Sequence, residues 1–280
     1  MERRFVEVEG LRLSYLEAGN DTGSPPVLLL HGWPTNALLY RHALLAIGAH
    51  RRAIALDLPG FGESDKPLDR SYSFRFFDRL LTGFTEALGL QALGLVVHDL
   101  GGPIGVHWAV ANAGRIRDLV MLNTVVFPEM SWAVKAFVAG TKLPGLRGFL
   151  SSPRGVAWAI RFGVSDVARI TPEVARLYTD PYRDRAARKA LLKAGGSLHP
   201  KGFDTITRGL GNLTMPLRLI YGEEDRILPN VAKTMARVKD RLPHAELTSI
   251  PGCGHFLQED RPQEVAGLLA EFLGRAGQGA

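Results

Sequence analysis

Apolar and polar residues alternate one by one along residues 5–16 (Val6, Val8, Leu11, Leu13, Tyr15), interrupted by Glu9-Gly10. This pattern predicts an N-terminal antiparallel hairpin. The rhythm then changes. Unbroken apolar runs at 26–30 and 52–56 end in polar or glycine-rich loops, as parallel strands buried on both faces do. Runs at 93–97, 118–122, 217–221 and 245–250 repeat that signature, and helical spacing fills 37–45, 74–88, 101–112, 230–241 and 263–276. Regular alternation of strand and helix predicts an α/β fold with a doubly wound, mostly parallel sheet.

The alternation stops between 125 and 212, where helical spacing is broken by Pro128, Pro144, Pro153, Pro172, Pro181 and Pro200. Each proline interrupts a helix interior, so several short helices are expected. We read 1–124 and 213–280 as one core domain and 125–212 as a helical cap (lid) inserted after the sixth strand. Such an insertion begins near the carboxyl ends of the strands, where open α/β sheets bind ligands. A length of 280 residues with 46% hydrophobic content suits one large domain with an insertion.

Composition narrows the function classes. No stretch of about 18 apolar residues occurs, and Met-Glu-Arg-Arg-Phe-Val-Glu-Val lacks the apolar core of a signal peptide. A soluble, cytoplasmic protein with no membrane partner is expected. The single cysteine, Cys253, cannot form an internal disulfide, and the eight histidines show no ligand spacing, so no metal or cofactor is expected. A net charge of +6 raises the question of nucleic acid. Between Lys135 and Lys193, however, twelve Lys or Arg against four acids are spread at helical spacing, which reads as a solvated helical surface. The expected partners are therefore a small apolar molecule and water, in a monomer or homodimer and without nucleic acid.

The chemistry is densest at Leu95-Val-Val-His-Asp-Leu-Gly-Gly102. An apolar run that stops at an acid and two glycines places Asp99 on a tight strand-to-helix turn, where Gly-x-Ser-x-Gly normally stands. Here that slot reads Val97, His98, Asp99, Leu100, Gly101, so the nucleophile position holds a carboxylate. A carboxylate displaces a leaving group from sp³ carbon and itself becomes an alkyl ester. A purely structural alternative is that Asp99 caps the following helix.

Such an ester needs a base to activate water and an acid to orient the base. The strand at 217–221 runs into Gly222-Glu-Glu-Asp225, and the strand at 245–250 runs into Pro251-Gly-Cys-Gly-His255. Asp225 and His255 follow Asp99 in the order nucleophile, acid, histidine. Glu223 and Glu224 are rivals for the acid. A fourth element, His31-Gly-Trp-Pro34, directly follows the strand at 26–30. Backbone N–H groups of Trp33 and Leu100 would meet developing negative charge, the helix from Gly101 would keep Asp99 ionised, and His31 would stitch the loop.

Five stretches together resemble the α/β-hydrolase fold family, in the branch of epoxide hydrolases and haloalkane dehalogenases. They are His31 to Pro34, Asp57-Leu-Pro-Gly-Phe-Gly-Glu-Ser-Asp-Lys-Pro67, Val97 to Gly102, Gly222 to Asp225 and Gly254 to Asp260. The resemblance spans essentially the whole chain. It implies catalysis by Asp99, His255 and Asp225, with an epoxide or a haloalkane as substrate.

Dehalogenases of this branch hold the halide with a Trp just after the nucleophile and often an Asn or Trp elsewhere. This chain has Leu100 and Trp33 at those places, with Trp132 and Trp158 as further indoles. Epoxide hydrolases use lid tyrosines as acids, and Tyr178 and Tyr182 are the tyrosines of the insertion, with His199 a possible substitute. Because Leu100 gives a halide no side-chain donor, the sequence favours opening of an epoxide to a diol. Haloalkane dehalogenation is the alternative, and a non-catalytic ligand-binding homologue is a third reading from a different class.

Overall fold

Glu9 and Gly10 take φ of 55° and 72°, the left-handed conformation of a two-residue hairpin turn. They join β1 (Glu2–Val8) to β2 (Leu11–Ala18) in antiparallel register, with Val8 opposite Leu11. The chain continues through β3 (Val27–Leu30), α1 (Arg41–Gly48), β4 (Ala53–Leu56), α2 (Phe74–Ala87), β5 (Leu93–Asp99), α3 (Gly101–Ala111) and β6 (Ile116–Thr124). Six helices follow: α4 (Trp132–Gly140), α5 (Pro144–Leu150), α6 (Pro153–Gly163), α7 (Pro172–Thr179), α8 (Arg185–Gly195) and α9 (Pro200–Gly209). β7 (Leu217–Gly222), α10 (Val231–Arg241), β8 (Glu246–Ile250), α11 (Leu257–Asp260) and α12 (Pro262–Ala276) complete the fold. This computed structural model describes residues 1–129, 131–196, 198 and 200–276. His199 lies outside the described residues.

The eight strands form one sheet in the order β1-β2-β4-β3-β5-β6-β7-β8, parallel from β4 to β8. Successive strand residues face opposite sides. Leu28, Leu30, Ile54, Leu56, Leu95 and Val97 accordingly join the cluster that includes α2 and α3, whereas Val27, Leu29, Ala53, Ala55 and Val96 join that of α1 and α12. Burial on both faces explains why these strands read as unbroken apolar runs.

Two elements differ from the sequence expectation. The helix expected over 37–45 is a 3₁₀ turn (Ala37–Tyr40) followed by α1, because the Asn36 side chain accepts the Leu38 N–H and starts a tighter turn. The strand expected to be buried at 245–250 is an edge strand with mostly exposed side chains, since β8 pairs only with β7. Between β6 and β7 no strand occurs among the described residues, and none of the helices there exceeds eleven residues. No helix among the described residues is long and apolar enough to cross a membrane.

At the amino ends of the parallel strands, Arg51 and Asp118 form a buried ion pair at 2.9 Å. Arg51 also donates to the carbonyls of Pro25 and Leu273, at 2.8 Å each. One side chain therefore ties the loop before β3 and the end of α12 to β6, at the opposite end of the sheet from Asp99.

Candidate active site

Asp99 is the last residue of β5 and has φ of +47°, a strained value for a residue with a side chain. The strand must turn at once into α3, and Asp99 is the point of the turn. Leu100, not Asp99, is the residue that caps α3, and it does so without a side-chain bond, so the capping alternative does not describe the geometry. The sequence placed Val97 where a small residue is usual. Space for it comes from α3, where a Cβ on Gly105 would stand 2.6 Å from Val97 Cγ1. The main-chain carbonyl of Asp99 is fixed by the Thr124 hydroxyl, which donates to it at 2.6 Å.

The carboxylate of Asp99 faces two different partners. Its Oδ1 accepts the backbone N–H of Trp33 at 2.7 Å, and its Oδ2 lies 3.4 Å from His255 Nε2. Close approach of the loop after β3 is possible only because residue 32 is glycine, since a Cβ there would stand 2.2 Å from Asp99 Oδ1. His31 holds the loop from behind. Its Nε2 accepts the Leu58 N–H at 3.1 Å, which makes Nδ1 the donor to the Gly32 carbonyl at 2.9 Å, and burial lowers its pKa.

His255 Nδ1 donates to Asp225 Oδ2 at 2.8 Å. Asp225 is itself anchored: Oδ1 accepts the N–H groups of Ile227 and Leu228 at 2.8 and 2.6 Å, and Oδ2 accepts Asn123 Nδ2 at 2.7 Å. Glu223 and Glu224 are exposed on the same turn and do not reach His255. The three side chains singled out in the sequence therefore meet from the ends of β5 and β7 and the loop after β8. Among them only Asp99 retains appreciable exposure, 16% of its side chain against 0% for His255 and 1% for Asp225. A substrate can touch the nucleophile position while the histidine and its acid stay sealed from bulk water.

Sequence reasoning missed Asn123. In the β5–β6 ladder His98 pairs with Leu122 and Asp99 with Thr124, so Asn123 is an extra, bulged residue with φ of +29°. The bulge turns its amide out of the ladder, where it donates to Asp225 and to the Gly254 carbonyl and accepts the Gly222 N–H at 2.9 Å. The available signal was an Asn at the end of an apolar run, a residue type that tolerates such a backbone. His98 was also unassigned. Its Nε2 donates to the His255 carbonyl at 3.0 Å, and burial with the neighbouring His255 brings its pKa down to about 4, so it is a neutral spacer.

Charge in the site is strongly coupled. Burial pushes the His255 pKa down, but Asp225 and Asp99 outweigh it and raise it to about 10. Burial would raise the Asp99 pKa, yet His255, His98 and the Leu100 N–H together hold it below the usual carboxylate value. At neutral pH the resting site is an imidazolium between two carboxylates.

The structure does not bring Tyr178 or Tyr182 to Asp99. The Tyr178 hydroxyl donates to Glu259, which also takes a bidentate pair from Arg41 at 2.5 and 2.8 Å. Tyr182 is buried beside Gly62, and burial and the Asp57 carboxylate hold its phenol well above its ordinary pKa. Both rings serve packing between the inter-strand helices and the loops under them. In contrast, the indole N–H of Trp33 is buried without a hydrogen-bond partner among the described residues, its ring packed against Phe137 of α4 at 4.5 Å. This is an unused donor on the residue whose amide already holds Asp99.

A family model of the alpha/beta hydrolase fold matches residues 25–262. The chain is 31% identical to Haloalkane dehalogenase 2 of Mycobacterium tuberculosis (strain CDC 1551 / Oshkosh), over 98% of this chain and 95% of that protein. It is 27% identical to a cis-3-alkyl-4-alkyloxetan-2-one decarboxylase of Shewanella oneidensis, over 97% and 88% of the two chains. Among solved structures, haloalkane dehalogenase DbeA from Bradyrhizobium elkani USDA94 superposes with a TM-score of 0.85 over 100% of this chain and 99% of that one, at 23% identity.

Proposed function

Since the chain belongs to the alpha/beta hydrolase fold family, in the haloalkane dehalogenase and epoxide hydrolase branch, we propose that it hydrolyses a small apolar haloalkane through an ester on Asp99. The observation that carries this reading is the division of labour at the Asp99 carboxylate. Oδ1, held by the Trp33 N–H, becomes the carbonyl oxygen, and Oδ2 is the oxygen that attacks.

In the first step Oδ2 forms a bond to the halogen-bearing carbon, and the halide departs with the bonding pair. We assign its reception to the indole N–H of Trp33, on the support that this donor is buried without a partner among the described residues. Alkylation removes the negative charge of Asp99, one of the two charges that raise the His255 pKa. Burial then favours loss of the imidazolium proton to solvent. Neutral His255, oriented by Asp225, takes a proton from water, whose oxygen attacks the Asp99 carbonyl carbon. The resulting oxyanion meets the Trp33 and Leu100 N–H groups, and its collapse releases the alcohol and restores Asp99. In sum, haloalkane and water give alcohol, halide and a proton.

This reading differs from the epoxide preference drawn from sequence. An epoxide oxygen needs a proton donor, and the Tyr178 hydroxyl is taken by Glu259 while that of Tyr182 is buried beside Gly62 and Asp57. The haloalkane dehalogenase relative points the same way. Epoxide opening survives as a second reading because Leu100 offers a halide no side-chain N–H. In either case the helices of 125–212 act as the cap that closes over Asp99.

A single turnover of a bromoalkane in ¹⁸O-water tests the proposal. The expected result is bromide release with ¹⁸O in the peptide containing Asp99 and ¹⁶O in the alcohol. Label in the alcohol after one turnover would mean direct attack by water and would overturn the ester.

A further inference from the structure

The face of α4, α5 and α6 that points away from the sheet is both apolar and cationic. On α6, Arg154, Trp158 and Phe162 follow one another at i, i+4 and i+8 and are exposed, while Val156, Ala159 and Ile160 on the opposite side are buried. On α4, Trp132 and Lys135 share the exposed side, and residues 142–149, which include all of α5 but the buried Leu150, are exposed throughout. The exposed apolar groups are large: Trp132 is 71% exposed, Leu143 58% and Trp158 51%, with Leu146, Phe149 and Phe162 beside them. They are continuous where ring contacts connect them. Phe149 lies 6.2 Å from Trp158, and Trp158 stacks on Phe162 at 5.2 Å. Phe162 and Trp132 also help line a cleft of about 510 Å³, together with the turn from Glu223 to Arg226 and Pro229.

Residues 131–165 contain five cations (Lys135, Lys142, Arg147, Arg154, Arg161) and not one acid. Among the described residues none of the five forms an ion pair, in contrast to Arg169, Arg176 and Arg183 further along, each of which pairs with an acid three residues before it. Of the acids flanking this stretch, Glu129 pairs with Arg237 and Asp166 with Arg169, and Glu223 and Glu224 line the cleft.

We propose that this face docks the protein on a lipid bilayer bearing anionic headgroups. Tryptophan, phenylalanine and leucine side chains projecting among lysines and arginines match the boundary between acyl chains and headgroups. The long cationic side chains reach phosphates while their stems lie along the apolar groups. The alternatives fit less well. A second copy meeting this face about a twofold axis would set five cations against five more. A nucleic acid would neutralise the charge but leave the leucines and phenylalanines without a role. The sequence expectation of no membrane partner rested on the lack of a spanning segment, whereas contact here is peripheral. This inference stands apart from the proposed reaction.

The test is cosedimentation of the full chain with phosphatidylcholine vesicles and with vesicles containing phosphatidylglycerol. Tryptophan emission is recorded in parallel. Expected are binding to the anionic vesicles with a blue shift, weak binding to the neutral ones, and release by salt. The triple variant K142E/R147E/R154E, altered only at exposed positions, is expected to bind about tenfold or more weakly. Trp158→Ser is expected to lose affinity and most of the blue shift. A folded wild-type protein that ignores anionic vesicles overturns the proposal and leaves the face to a protein partner. Binding that is equal for wild type and triple variant overturns it as well.

Discussion

Asp99 Oδ1 accepts the Trp33 amide at 2.7 Å, while the indole N–H of the same Trp33 is buried with no partner among the described residues. One residue thus carries two donors, an amide that is used at the carboxylate and an indole N–H, beside Gly195 of α8, that is not. If the free donor receives the leaving group, Trp33→Phe keeps the amide and the packing on Phe137 but removes the indole N–H. The alkylation step with a bromoalkane should slow by about 10²-fold, the usual effect of one well-placed donor. Hydrolysis of the ester, which depends on the amide, should change little. Pre-steady-state bromide release measured against alcohol formation separates the two.

The charge arrangement gives the two steps different pH profiles. Alkylation needs ionised Asp99, whose pKa is held below the usual carboxylate value mainly by His255, so its rate should stay flat down to about pH 4. Ester hydrolysis needs neutral His255. In the resting site that pKa is raised to about 10, but Asp99 contributes part of the rise and loses its charge on alkylation. Hydrolysis should therefore fall with decreasing pH through a pKa below the resting value. Single-turnover measurements from pH 5 to 10 check this, with the resting value read by NMR titration of His255.

The ion pair of Arg51 and Asp118 predicts a change in stability away from the site. Both groups are buried, and Asp118 keeps a raised pKa because desolvation exceeds the benefit of Arg51. Arg51→Met leaves a buried carboxylate unpaired and should lower stability by about 3–5 kcal/mol. The double variant R51M/D118L should recover much of that loss. Urea unfolding measures both, and turnover per folded molecule should be unchanged.

Much of this arrangement was legible in the sequence, for identifiable reasons. Strands such as 93–97 and 217–221 are buried on both faces, so their apolar runs have one reading, and the acid or glycines that end them mark the functional edge of the sheet. Asp99, Asp225 and His255 were found because each lies just beyond such a run. Asn123 escaped because its role arises from a bulge, a register event between β5 and β6 that depends on pairing partners rather than on local pattern. Tyr178 is a candidate acid only through the resemblance to epoxide hydrolases, which implies lid tyrosines. Its actual partners, Glu259 and Arg41, are 81 and 137 residues away and share no pattern with it. The exposed face of α4 to α6 was read as solvated because cation spacing was visible and the outward direction of Trp132, Phe149 and Trp158 was not.

The central claim is that Asp99 becomes covalently alkylated by a haloalkane and that His255 is needed only to release the product. Intact-mass measurement of His255→Gln after incubation with a bromoalkane tests it most directly, because the variant should stall at the ester. The account predicts a mass gain equal to the alkyl group without bromine, located on the peptide containing Asp99 and absent from the double variant D99N/H255Q. No adduct with bromoalkanes, together with a gain of one whole epoxide in a parallel incubation, would contradict the haloalkane reading. No adduct with either would contradict the ester itself.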